Sequence, residues 1–134
     1  MNFTSFFFSQ NYQKVAALGN RLGLIEELID WEQFRPIIRD IFNDDLIDGG
    51  RPHTDEIILI KLLVLQQWHG LSDYELEIQA LDRASFQHFL GYPESIPDRS
   101  TIWKFRGRLI KNNKEEAIWN FLQRQIYERG LTIK

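Results

Sequence analysis

The segment that runs to His69 constrains this chain more than any other. Ile57, Ile58, Leu59, Ile60, Leu62, Leu63, Val64, Leu65 and Trp68 fall within it, and Lys61 alone interrupts the run from Ile57 to Leu65. Thr54 or Asp55 can cap a helix there, and Gly70 supplies the stop. At 100° per residue these apolar side chains point in most directions. A helix with no polar side must be central and buried on several sides. It is too short to span a bilayer, which takes about 20 apolar residues. The chain therefore needs further helices to pack around this one.

The rest of the sequence supplies them. Asn11–Leu22 shows a loose helical period, and Leu24–Ile29 is a second segment. Asp30 can cap a helix from Trp31, with Gln33 in the reciprocal capping-box position and Pro36 near the start. Ser72 and Glu75 form a capping box opening a short helix through Ala80. Asp82–Leu90 reads as another, ended by Gly91. Pro93 and Pro97 bracket a loop. Asp98 or Ser100 then caps a helix over Arg99–Lys111, and Asn113 with Glu116 caps a last one reaching Arg129. No segment alternates at period two long enough to be a strand. The expected class is all-α: a compact multi-helix domain with a helix-turn-helix-like C-terminal half. Asp48-Gly49-Gly50-Arg51-Pro52 would stop any helix. Residues 49–53 thus read as a connection between a helical subregion, 1–48, and a helix-turn-helix-like one, 54–134. At 134 residues the two form one domain, since fifty residues bury little core.

Several chemistries are excluded or disfavoured. The chain has no cysteine, so disulfides, thiolate zinc sites and thiol nucleophiles are out. This suits a reducing cytoplasm. Met1–Phe8 is apolar but lacks the basic residue and the cleavage site of a signal peptide, and reads as an aromatic anchor on the first helix. Asn43, Asp45 and Asp48-Gly49 hint at a calcium loop, but the ligand spacing fails and Asp40, Asp44, Asp45 and Asp48 read as a solvated group. His53, His69 and His88 show no i,i+4 ligand pair. His69 instead complements the negative end of its helix. No glycine-rich phosphate loop and no Ser/His/Asp set stands out.

Charge is unevenly spread. The net formal charge is −3, and residues 1–50 carry four basic and eight acidic side chains. Residues 99–114 carry Arg99, Lys104, Arg106, Arg108, Lys111 and Lys114 and no acid. With Ile102 at zero on a helical wheel, Phe105, Leu109 and Ile110 fall within about 80° and form the core stripe. Lys104, Arg108 and Lys111 fall on the opposite side with Ser100 and Gly107. Arg99 and Arg106 lie at the stripe edge, where Arg106 needs a carboxylate from a neighbouring helix. Trp103, about 100° from the stripe centre, can pack sideways or reach a partner. The outward face is either solvated or meets phosphate. In the second case the lysines and arginines supply affinity, and Arg99, Ser100 or Lys104 can reach bases.

Five blocks then occur in order: Leu28-Ile29-Asp30-Trp31-Glu32; Gly50-Arg51-Pro52 with Asp55; Leu63–Asp73; Asp82–Phe86 with Phe89-Leu90-Gly91; and Ile96–Arg106. Their succession resembles the N-terminal domain of bacterial insertion-sequence transposases of the "insertion sequence five" family, from about residue 5 to the end. The resemblance implies DNA transposition, in which a DDE triad of carboxylates holds two divalent metal ions in a ribonuclease-H-like domain. Gly130–Lys134 resembles the approach to that domain's first strand. No catalytic carboxylate maps onto this sequence, so the chain is expected to be no enzyme by itself and to hold no cofactor. The implied role is binding double-stranded DNA at the element's terminal inverted repeats, in the bacterial cytoplasm at the nucleoid and not at a membrane. The expected contacts are Arg99, Ser100, Lys104, Arg108 and Lys111, with Arg51 a further phosphate contact. A competing reading is a dimerisation module, in which the all-round apolar helix and the aromatic N-terminus join a second copy, or a truncated inhibitory fragment that poisons the full-length transposase by mixed assembly.

Overall fold

A computed structural model of the chain describes residues 21–42 and 55–128. Seven α-helices lie in them: α1 (Arg21–Leu28), α2 (Arg35–Ile38), α3 (Glu56–His69), α4 (Asp73–Asp82), α5 (Ala84–Leu90), α6 (Arg99–Lys111) and α7 (Glu115–Glu128). Two 3₁₀ turns, Trp31–Phe34 and Arg39–Phe42, flank α2. The architecture is all-α, as expected. Among the described residues no helix is long and apolar enough to cross a membrane. The aromatic N-terminus, the connection at 49–53 with Arg51 and His53, and the acids Asp44, Asp45 and Asp48 lie outside the described residues.

Helix α3 forms the axis of the core. Ile57 and the run from Leu59 to Leu65 are buried, Lys61 included. They join one cluster with Ile25, Trp31, Phe34 and Ile38 before the connection and with Phe86, Phe89, Ile102, Leu109 and Leu122 after it. Both expected subregions thus share one core. The apolar faces of α3 are thus covered largely by the described residues of its own chain.

The caps follow local chemistry. Asp55, rather than Thr54, accepts from Ile57 N–H at 2.9 Å. Ser72 accepts from Glu75 N–H at 3.1 Å. Asp98, rather than Ser100, accepts from Thr101 N–H at 2.8 Å. Gly70 (φ 63°) and Gly91 (φ 83°) end α3 and α5 in the left-handed conformation that glycine adopts without strain.

Two expectations are corrected. Asp30 caps no α-helix: its side chain takes no cap hydrogen bond, and the chain runs through a 3₁₀ turn, one α-turn and a second 3₁₀ turn. Pro36 has no N–H and its ring crowds the carbonyl four residues back, which breaks the regular ladder. What fixes Asp30 is distant. Gln125 of α7 accepts from Asp30 N–H at 2.8 Å and donates to the Asp30 carbonyl at 3.2 Å. Asn113 likewise does not start α7. It sits at φ 58° after α6, where Asn113 N–H donates to Ile110 and Lys114 N–H to Leu109, the paired bonds of a helix C-terminus.

One charge lies inside. Lys61 is only 6% exposed and pairs with Glu26 at 3.3 Å. Its ammonium stands 5.2 Å from the Trp31 ring and 5.6 Å from that of Phe89. Burial pushes this lysine below its ordinary pKa, against the pull of Glu26.

Candidate nucleic-acid interface

Helix α6 is held by its edge. Arg106 donates Nη1 to Asp73 Oδ1 at 2.6 Å and Nη2 to Oδ2 at 2.7 Å, a bidentate pair with α4. Gln66 of α3 donates to Asp73 at 2.8 Å and accepts from Arg106 at 3.0 Å. The pairing that the wheel demanded for Arg106 is present, and it locks three helices together. The Arg106 guanidinium holds the Asp73 carboxyl below its usual range. Nearer its start, α6 meets α4 again. Arg99 N–H donates to Glu77 at 2.9 Å, and the Arg99 guanidinium lies 5.1 Å from the Tyr74 ring. The two helices therefore run side by side and antiparallel.

The remaining expected contacts separate into two groups. Ser100, Lys104 and Lys111 are exposed, and neither lysine makes an ion pair or hydrogen bond among the described residues. Arg99 is exposed but placed by Glu77 and Tyr74. Arg108 departs from the outward triad: it is half-buried and donates to the Ile41 carbonyl at 3.4 Å, reaching the second 3₁₀ turn. Lys114, a neighbouring cation, pairs with Asp40 at 3.5 Å. Arg51 lies outside the described residues.

Ile110 is a further correction. Expected in the core stripe, it is 54% exposed, beside Trp103 at 63%. An 80° offset is the margin of a buried stripe, and here that margin looks outward. Gly107 lies between them on the same face, with nothing within 4 Å of an added Cβ. The outer side of α6 therefore carries a cationic edge and an apolar band.

Enclosed space is scarce here. A cavity between α3, α6 and α7, lined by Leu63, Arg106, Leu109 and Trp119 among others, holds about 50 Å³. Small-molecule sites take several hundred. A depression beside Gly70–Asp73 and Arg106 is wider but open to solvent. Among the described residues no three His, Asp or Glu side chains are placed to hold a metal ion.

No solved structure matches this chain. A family model described as "Transposase domain (DUF772)" matches residues 10–108, about three quarters of the sequence. The match takes in Asp73, Arg106 and Lys104, and stops at Arg108, short of Lys111. The chain belongs to the DUF772 transposase-domain family.

Proposed function

We propose that this chain is the DNA-binding N-terminal part of a DDE transposase of the "insertion sequence five" kind, and that it recognises the ends of the element. Family membership supports a role in transposition. The observation that carries the DNA reading is the state of Lys104 and Lys111: exposed on one edge of α6, with no ion pair or hydrogen bond among the described residues, although the Asp98 carboxylate lies within electrostatic reach of Lys104. Arg99 and Ser100, at the start of the same helix, stand where side chains reach base edges when a helix N-terminus enters the major groove. The connection from α5 to α6, residues 91–98, is longer than the turn of a compact helix-turn-helix. The reading therefore rests on α6 and its cations. Strand transfer belongs, in this reading, to the ribonuclease-H-like domain of the family, and no step of it runs through residues described here.

The test is binding of a fluorescent duplex carrying the element's terminal repeat, measured by anisotropy across salt. Two phosphate contacts, from Lys104 and Lys111, give a log–log slope of about −1.8. A flat response, or no binding at micromolar protein, overturns the reading.

A further inference from the structure

Three of the four tryptophans serve the core. Trp31 is buried, and Trp68 and Trp119 pack against the same cluster. Trp103 is 63% exposed, and among the described residues it makes no hydrogen bond and no ring contact. A ring of this size is ordinarily taken up by the core of a domain. Left in water, the indole offers an apolar body and one N–H donor to whatever meets this helix.

Its neighbours on α6 indicate the occupant. At 100° per residue from Ile102, Trp103 stands at about 100°, Gly107 at about 140° and Ser100 at about 160°. Lys111 and Lys104 stand at about 180° and 200°. The indole and both lysines thus share one outward arc of a helix that contains no acid. The nearby acids lie off this arc. Asp98 caps the helix start, while Asp73 and Glu77 lie on the α4 side, bonded to Arg106 and to Arg99 N–H. Lysine is depleted where one protein covers another, and it supplies phosphate contacts on nucleic acid. A tryptophan that shares its arc with lysines and with no acid is complementary to DNA.

Gly107 fits the same picture. Alanine suits the interior of a helix better than glycine. Nothing among the described residues asks for glycine here, since its φ is ordinary and nothing lies within 4 Å of an added Cβ. A bare backbone in the middle of the arc lets the helix settle deep into a groove.

We infer that Trp103 reads sequence, by laying its indole on the 5-methyl group of a thymine in the major groove. This rests on the DNA reading above and adds to it a residue that discriminates between bases. Lys104 and Lys111 face the phosphates of one strand, and the offset of about 100° between Lys104 and Trp103 brings the indole over base edges. There only thymine presents a methyl group, so the contact selects an A·T pair in one orientation. The lysine–phosphate contacts carry no such information.

The probe is a pool of duplexes randomised over about 20 base pairs, two turns of DNA, selected by the whole chain and sequenced. Wild type should enrich thymine at one position or more that Trp103→Ala leaves random, while the rest of the selected motif stays. On the selected duplex, uracil in place of that thymine removes the methyl group and keeps the pairing. This should weaken wild type about fourfold, the worth of one buried methyl group, and leave Trp103→Ala within about 1.5-fold. Uracil that weakens both proteins alike, or neither, overturns the inference. The exposed indole should be dispensable for folding. A Tm loss above about 5 °C in Trp103→Ala would assign it to packing and overturn the inference as well. Wild type that holds duplexes with salt-sensitive affinity, yet enriches no thymine dependent on Trp103, overturns this inference and leaves the DNA reading standing. Wild type that holds no duplex overturns both.

Discussion

Arg106 and Asp73 meet through two parallel charge-assisted hydrogen bonds, at 2.6 and 2.7 Å, and Gln66 bonds to both. This joint fixes the orientation of α6, and with it the direction in which Lys104 and Lys111 point. Each side chain of the pair is about three-quarters covered. Arg106→Met leaves the Asp73 carboxylate covered without its cation, at a cost of about 2 kcal/mol. A fall in Tm of about 6–10 °C is expected. The pH dependence has a fixed sign. Asp73 has a folded pKa below its unfolded one. Its contribution is therefore complete above the ordinary carboxylate pKa of about 3.9 and is lost as pH falls through the folded value. Melting curves at falling pH should show the gap between wild type and Arg106→Met close below about pH 4.

Lys104→Glu with Lys111→Glu should lower affinity for duplex DNA by about 30-fold or more at moderate salt while Tm stays within about 2 °C. Arg108→Met should do the reverse, because its guanidinium is engaged with the Ile41 carbonyl. It should cost about 1 kcal/mol of stability and change affinity little. Anisotropy titration beside thermal melting reads both. Equal losses of affinity in the two variants would move the contact surface toward Arg108.

Helix α6 shows what a single sequence can and cannot disclose. Its cap at Asp98, its buried face of Ile102, Phe105 and Leu109, and the need of Arg106 for a carboxylate all follow from spacing and from the cost of a partly buried charge. The fate of Arg108 does not, because the carbonyl that attracts it belongs to a turn 67 residues earlier. Ile110 and Arg99 sit at similar angles on the wheel, and the packing of α4 decides how that edge is used. Asn113 suits both a helix start and a left-handed helix end, and the choice is made by the turn into α7. Trp31 is buried as a core aromatic, but its local helix is not the one expected, because Pro36 interrupts the ladder. The fold class and the edge carrying the exposed lysines were thus legible, whereas long-range polar partners were not.

Lys61→Met replaces a buried ammonium with an apolar chain of similar length. Such exchanges are often neutral or stabilising, so Tm at pH 7 should equal or exceed that of wild type. The burial-lowered pKa of Lys61 means that the unfolded chain binds the extra proton as pH rises toward about 10.4. The Lys61 contribution therefore makes wild type gain stability over that range, and the variant lacks this gain. The difference between the two should narrow from pH 7 to 10, read by thermal melts. A variant less stable by more than about 2 kcal/mol at pH 7 would show that the Glu26 pair and the aromatic contacts outweigh desolvation.

Gln125→Leu removes the acceptor for Asp30 N–H and the donor to its carbonyl. Gln125→Glu keeps only the acceptor. Both should lower the urea midpoint, with a loss of about 1–2 kcal/mol in unfolding free energy at unchanged m-value for leucine. Glutamate should be no better, since its carboxylate faces the Asp30 carbonyl.

That amide bridge spans 95 positions of sequence, and its Gln125 end lies beyond residue 108, where the family match stops. During synthesis on the ribosome the early helices emerge long before Gln125 exists. Phe34, which packs on Phe121 at 5.0 Å, must wait as well. The nascent protein can collapse around α3 but cannot seal its opening turn until α7 has left the exit tunnel. Maturation of this domain is therefore a late event, paced by translation of its last helix.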